Sequence, residues 1–357
     1  MSSSKTNSAS GSCRNGKEGA GEHKEGYSVK TLRRMSNKER LKAFLHLFKR
    51  DDRVLIIIVA DPDSMGSAFA IKRLLSRRVS ETVIAYCNQI KRLNNIAMRE
   101  ILKIPMQPLR GTKRDEFTKF ILVDSQPTHK KEFENIQFHA VIDHHPLSEG
   151  WQAPFMDIRP EYGAVCTMMS EYLKSAGIKP SVALATALFY GIKVDTKNFT
   201  QKATPQDVYC FQNLFKRINQ YWLSKIEKSD MRKSELKYFK TALTVMRFRK
   251  KRIYAFLGRV SNPDVLVLIA DFFTHVHEVG WVFIAGQVGE RLIIILRCDG
   301  YKKDAGKLAK NFLGKFGPAG GHKQSARAEL PLKNLPEDFR EEFTTDTLIK
   351  LFVKHLD

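Results

Sequence analysis

The chain has 357 residues, with 60 Lys and Arg against 38 Asp and Glu and a formal net charge of +22. A hydrophobic share of 43% excludes a wholly disordered chain, and the length suits two domains at roughly 150 residues each. The five cysteines (Cys13, Cys87, Cys166, Cys210, Cys298) have no CxxC spacing, which argues against a zinc ribbon or a disulfide framework.

Residues 1–26 are Ser, Gly, Lys and Glu with almost nothing to bury, and a disordered basic tail is expected over 1–35. The N-terminus carries no apolar signal stretch. The longest strongly apolar run, Val54–Ala60, is far too short to span a bilayer. A cytoplasmic protein with no membrane partner is the expectation.

The domain pattern starts at Ser36, where Ser36 and Glu39 form a capping-box signature ahead of an amphipathic helix to Phe48. VLIIIVA (54–60) reads as a strand covered on both faces. A helix follows over 68–76, then a strand at 82–86, a helix over 94–102, and strands at 119–124 and 139–145. Such alternation predicts an α/β fold whose first domain, 36–201, is built on a parallel sheet. Helices are expected over 164–175 and 182–192, the second leading into a turn with Asp195. Residues 202–251 read as a basic helical connector. From 252 the pattern changes to apolar strands, RIYAFLGRV, DVLVLIADFF, GWVFIAGQV and RLIIILRC, then a helix over 304–312 and a glycine-rich loop, GKFGPAGGH (314–322). A smaller α+β domain is expected over 252–357.

The strands end in a particular chemistry. Asp61 and Asp63 follow the first, Asp124 follows ILV, and Asp143, His144 and His145 follow AVI. Alone, each Asp is most simply a helix cap. Together with Asp195 they bring five Asp and two His toward one sheet edge, where functional groups of parallel sheets gather. So many carboxylates repel one another unless cations fill the site. Oxygen-rich ligation with one or two imidazoles suits Mn²⁺, with Mg²⁺ as the alternative.

At these residues the sequence resembles the DHH phosphoesterase superfamily. DPDSMGSA (61–68), ILVDS (121–125), VIDHHP (141–146) and ALFYGIKVDT (187–196) resemble its four motifs, and GPAGGH (317–322) resembles the glycine–histidine loop of the DHH-associated C-terminal domain. The resemblance covers about residues 50–325. It implies hydrolysis of a phosphoester or phosphoanhydride with two metal ions, usually Mn²⁺. It implies that Asp124 bridges them, that Asp63, His144 and Asp195 complete one site, and that Asp61 serves the other. His145 would face the substrate phosphate and Asp143 would orient its neighbours.

The family pattern usually has a histidine four residues before the first Asp of motif one, and here that position is Ile57. The Asp61 site is expected to lack one ligand, with Asn88 as a substitute to consider. In the C-terminal domain the resemblance implies that Arg297, Gly320, Gly321 and His322 bind substrate phosphate. Ala319 replaces one glycine of the common GGGH form.

Charge is local. Residues 1–50 hold 12 Lys and Arg against 4 Asp and Glu, and residues 202–252 hold 14 against 4. The second stretch interleaves Lys225, Lys228, Arg232, Lys233, Lys237, Arg247 and Arg249 with Tyr221, Trp222 and Tyr238, a composition suited to short single-stranded nucleic acid. The expectation is a phosphoesterase acting on short oligonucleotides or nucleotide phosphates, most similar to the nanoRNase/3′-phosphoadenosine-phosphate phosphatase branch. The alternatives are a cyclic-dinucleotide phosphodiesterase and a nucleic-acid- or nucleotide-binding module with an impaired metal site. A homodimer is compatible with the sequence.

Overall fold

Six short strands, β1 (Arg53–Ile58), β2 (Glu81–Tyr86), β3 (Met106–Pro108), β4 (Lys119–Val123), β5 (Ala140–Asp143) and β6 (Phe155–Ile158), pair in the order β3-β2-β1-β4-β5-β6. Every pairing is parallel. The computed structural model describes residues 27–229, 231–301, 303–339 and 343–356. They fall into two compact units, divided after Ser229.

In the first unit, strand alternation sends side chains to two cores. Val54, Ile56 and Ile58 face one layer with Phe44, Ile71, Met168 and Leu188. Leu55 and Ile57 face the other with Ala85, Leu122 and Phe133. The layers draw on α1 (Val29–Arg33), α2 (Asn37–His46), α3 (Pro62–Leu75), α4 (Leu93–Ile101), α5 (Val165–Ser175), α6 (Val182–Asp195), α7 (Pro205–Phe215) and α8 (Gln220–Glu227). The expected capping box is formed: Ser36 accepts the Glu39 amide, and the Glu39 carboxylate accepts the Ser36 amide at 2.7 Å.

Three local expectations change. The tail was expected to run to residue 35, yet Tyr27 bridges to Phe155 and Leu32 is buried, so 27–35 is folded against β6; residues 1–26 lie outside the described residues. The helix after β1 starts at Pro62, not at 68. Asp61 caps it and Pro62 pre-sets its first turn, so motif one is itself helical. Asp195 is the last residue of α6 and not a turn residue. Nothing in the residue pattern signals the short β3 and β6, or the helix over 345–356.

The second unit holds α9 (Leu236–Val245), β7 (Arg247–Arg249), β8 (Arg252–Arg259), α10 (Asp264–Phe273), β9 (Trp281–Val288), β10 (Arg291–Cys298), α11 (Ala305–Leu308), β11 (Ala319–Gly321), β12 (Ser325–Pro331) and α12 (Thr345–Leu356). Its sheet runs β11-β12-β10-β9-β8-β7, antiparallel except for the parallel β8–β9 pair. DVLVLIADFF, expected as a strand, is α10. Its buried residues Val265, Leu266, Ile269, Ala270 and Phe273 recur at helical spacing, and that stripe outweighs its β-branched content.

The stretch 202–251, expected as one connector, is shared between the units. Cys210, Leu214 and Ile226 enter the first core, while Tyr238 and Ala242 enter the second. Tyr238 is buried, with its hydroxyl accepting the Ser261 amide at 3.1 Å, so it is no stacking platform; Tyr221 is exposed. No helix among the described residues is long and apolar enough to cross a membrane.

Candidate metal centre

The carboxyl ends of β1, β4 and β5 and the last turn of α6 converge. Asp63 sits in the first turn of α3, fully buried. Its two oxygens accept the amides of Val165 and Cys166, each at 2.7 Å. Asp63 therefore neutralises the exposed donors at the start of α5. Three helices meet tightly here. A Cβ on Gly66 would lie 2.8 Å from the Cys166 Sγ, and one on Gly191 would lie 2.5 Å from it.

Asp124 follows β4 and is buried with a φ of 57°. Few residues other than glycine accept this left-handed conformation, and Asp and Asn are among them. His144 follows β5. Its Nε2 lies 3.1 Å from Asp195 Oδ2 and 3.4 Å from Asp124 Oδ1. Its Nδ1 faces the Tyr162 carbonyl at 3.1 Å, and because a carbonyl only accepts, Nδ1 donates there. A neutral His144 thus presents its Nε2 lone pair toward the carboxylates.

Asp143 is fully buried and works through its neighbours. Its Oδ1 accepts the His144 amide and the His145 Nδ1–H, each at 2.8 Å. Its Oδ2 accepts Gln126 Nε2 at 2.7 Å. Gln126 Nε2 also reaches the Pro146 carbonyl at 3.0 Å, and its Oε1 accepts the Ser148 amide at 2.7 Å. The DHH loop is clamped by a residue that the sequence did not single out. His145 is 46% exposed, and its ring meets the edge of His129, also unflagged, at 5.8 Å between centroids.

Behind His144 lies a buried ionic network. Arg159 binds Asp157 through two hydrogen bonds of 2.9 and 2.7 Å and Glu171 through one of 2.7 Å. The Tyr162 hydroxyl donates to Glu171 at 3.1 Å, which ties the carbonyl facing His144 to the same network.

Burial and like charge push the Asp63 and Asp124 carboxyl groups up. Burial, then Asp195, raises the Asp63 pKa to about 7. Burial, then Asp61 and Asp63, holds that of Asp124 well above the usual range. Burial pulls His144 down, but the surrounding Asp124, Asp195 and Asp63 carboxylates outweigh it and lift it to about 12. Burial opposes ionisation of Asp143 too, yet its bonds from His145 and Gln126 prevail and lower its pKa.

Two groups of donor atoms lie within 4.8 Å of one another: Asp63, His144 and Asp195, and Asp124, His144 and His145. Asp124 Oδ1 and His144 Nε2 are buried without a hydrogen-bond partner. Oxygen donors with imidazole, and two orphaned atoms aimed into one space, fit a divalent cation such as Mn²⁺ or Mg²⁺. Asp61 joins neither group; its Oδ1 accepts the Ser64 amide at 2.9 Å. Ile57 is a fully buried core residue. Asn88, considered as its substitute, spends both polar atoms on the Ala60 backbone, at 2.7 and 3.2 Å.

The remaining expected residues belong to the second unit. Arg297 donates from Nε to Asp271 at 2.6 Å and from Nη1 to the Leu296 carbonyl at 3.1 Å. Gly320 and Gly321 form β11, and His322 is exposed in the turn to β12, its amide on the Ser325 carbonyl at 2.8 Å. Gly321 has a φ of 153°, and a Cβ there would meet the Ser325 carbonyl oxygen at 2.3 Å.

The family described as "DHH family, N-terminal domain" matches residues 53–192. An uncharacterized protein of Methanocaldococcus jannaschii is 31% identical over 280 residues, covering 78% of this chain and 58% of that protein. The A-adding tRNA nucleotidyltransferase of Geobacter sulfurreducens is 24% identical over 301 residues, covering 78% of this chain and 32% of that protein. The chain thus spans well under two thirds of either relative. Among solved structures, an exopolyphosphatase-related protein from Bacteroides fragilis superposes with a TM-score of 0.65 at 16% identity, covering 89% of this chain and 95% of that one. At that identity the likeness is one of fold.

Proposed function

We propose that this chain, whose residues 53–192 are a DHH-family N-terminal domain, is a divalent-metal phosphoesterase acting on short oligonucleotides or nucleotide phosphates. The observation that carries the reading is the pair of orphaned atoms, Asp124 Oδ1 and His144 Nε2, buried among carboxylates whose pKa values burial and mutual repulsion have raised. Asp63, Asp124, His144 and Asp195 would hold one Mn²⁺, and Asp124 with Asp61 a second; Mg²⁺ is the alternative ion. Such ions supply Lewis-acid polarisation of a phosphoryl oxygen and acidify water.

The chain's own residues do the rest. Asp143 fixes His145 through Nδ1, so that in its imidazolium form His145 turns an Nε2–H toward a phosphate oxygen. Gln126 holds Asp143 and the 145–148 backbone in one arrangement, so the donor is pre-positioned. Arg297, Gly320, Gly321 and His322 are proposed to bind substrate phosphate. The basic character of 202–252 and the tRNA-directed name of the Geobacter relative support a nucleic-acid substrate.

One observation favours a second reading, a nucleotide-binding module with a weakened metal site: Ile57 is packed in the core, and Asn88 is fully engaged. A Mn²⁺-dependent assay on two- to five-residue RNAs, 3′-phosphoadenosine 5′-phosphate and cyclic dinucleotides separates the two. Turnover that disappears in Asp124→Asn supports the enzyme. Binding without turnover at millimolar Mn²⁺ overturns it.

A further inference from the structure

A cavity of about 770 Å³ opens in the first unit between α1 and the segment that follows the DHH motif. Its lining includes Lys30, Arg33 and Arg34 on one side and Leu147, Trp151 and Met156 on the other. The size lies within the range of small-molecule sites, roughly 300–1,000 Å³. From this cavity we infer a nucleotide-binding subsite that takes a nucleoside monophosphate group.

The walls divide by chemistry. Leu147 is 50% exposed and offers the cavity an apolar wall. Trp151 is half-buried, and its indole N–H donates to Ser148 Oγ at 3.0 Å, so the ring is anchored. An anchored indole beside a leucine suits the flat face of a base. Opposite them stand three cations. Among the described residues, only Arg33 of the three has an acidic partner, Glu161 at 3.9 Å, a distance too long for a strong pair. Lys30 and Arg34 are exposed, with no carboxylate among the described residues in ion-pair reach, a setting that favours a dianionic phosphate.

The cavity is linked to the candidate metal centre through one short loop. His145 faces the centre, Leu147 lines the cavity, and Ser148 between Leu147 and Trp151 is held by Gln126, the same residue that holds Asp143. A chain of two or more nucleotides with its scissile phosphate near His145 can place a neighbouring nucleotide beside Leu147 and Trp151. That role as part of the substrate rests on the function proposed above; the binding itself does not.

The test is calorimetric titration of the full chain with AMP, adenosine and the dinucleotide pApA in EDTA, where no hydrolysis occurs. AMP and pApA should bind and adenosine should bind at least tenfold more weakly. Arg34→Ala and Lys30→Ala should each weaken AMP by about tenfold, since both are exposed and neither variant disturbs a packed residue. Leu147→Glu should abolish binding. Asp124→Asn should leave AMP binding unchanged. No AMP binding at millimolar concentration overturns the subsite, as does AMP affinity untouched by the Arg34 and Lys30 variants. AMP binding by a chain that never hydrolyses phosphoesters with Mn²⁺ keeps the subsite and overturns the proposed function instead. Tighter binding of pApA than of AMP identifies an oligonucleotide end, and equal affinity a free nucleotide.

Discussion

Asp124 Oδ1 and His144 Nε2 lie 3.4 Å apart, both buried, and no hydrogen bond joins them. With His144 neutral, the form that binds a cation, each forfeits a partner at a cost of about 1–3 kcal/mol. A cation between carboxylate and imidazole removes that cost. Asp124→Asn should therefore fold, lose turnover and weaken Mn²⁺ at least tenfold by titration calorimetry. Asp124→Ala should add a further loss of about 1–2 kcal/mol in denaturant melts, because alanine is strained at a φ of 57° where asparagine is not. Undiminished Mn²⁺ affinity in the asparagine variant would remove Asp124 from the site.

Acid–base linkage predicts how the metal-free chain responds to pH. Asp63 is held at about 7 in the folded state, above its ordinary value of 3.8. Between those values the folded chain keeps a proton that the unfolded chain has released, so stability falls as pH rises across that window. His144, raised to about 12, also binds more protons folded than unfolded, and adds to the fall above its ordinary 6.5. In EDTA the Tm should drop from pH 5 to pH 7, and Asp63→Asn should flatten that slope. Mn²⁺ should restore stability most at the higher pH. A Tm that climbs over this range in EDTA would contradict the assignment.

Ile57 tests the departure in motif one. It is fully buried against Leu55, Ala85 and Leu122. Ile57→Val should cost about 0.5–1.5 kcal/mol, a normal core deletion. Ile57→His should cost about 1–3 kcal/mol in EDTA, from an imidazole without a partner in the core. Recovery of that loss on adding Mn²⁺ is expected if the imidazole reaches the Asp61 side. Equal destabilisation with and without Mn²⁺ would show that the packing of β1 holds it away.

Gln126 is predicted to matter more than its neutral side chain suggests. Gln126→Leu leaves Asp143 a buried carboxylate with one partner fewer and releases the Ser148 amide. A loss of about 2–4 kcal/mol is expected in urea melts. Turnover should fall through kcat more than through KM, since His145 loses the orientation that Asp143 gives it. Retained stability would mean that water replaces the amide.

The contact of three helices at Cys166 can be measured by a double-mutant cycle. Gly191→Ala would place its methyl 2.5 Å from Cys166 Sγ and 3.1 Å from the Asp63 Cα. It should destabilise by about 1–3 kcal/mol and weaken Mn²⁺ binding. Cys166→Ala in the same chain should recover part of the stability, with a coupling of about 0.5 kcal/mol or more. Additive effects would show that the backbone of α3, not the sulfur, takes up the clash.

Much of the arrangement was legible because parallel strands advertise their ends. Short β-branched runs stop at Asp61, Asp124 and Asp143, and an acid there is visible without any coordinates. DVLVLIADFF was misread because a nearly continuous apolar run carries helix and strand signals at once, and only its buried stripe decides. Gln126 and the Tyr162 carbonyl were invisible for a different reason. One is a neutral side chain whose five hydrogen-bond contacts form only when the loop folds, and the other is backbone, which no residue type can signal. Arg159 resembles any surface arginine until Asp157 and Glu171 close around it.

Asp63 answers to two masters. It terminates α5 through the Val165 and Cys166 amides, so a descendant that had abandoned chemistry would still have reason to keep it. Asp195 has no such second employment: its side chain is 30% exposed, and among the described residues its ion pair is with His144 alone. When relatives of this chain are sorted into working and lapsed forms, the aspartate to watch is the one at the end of α6.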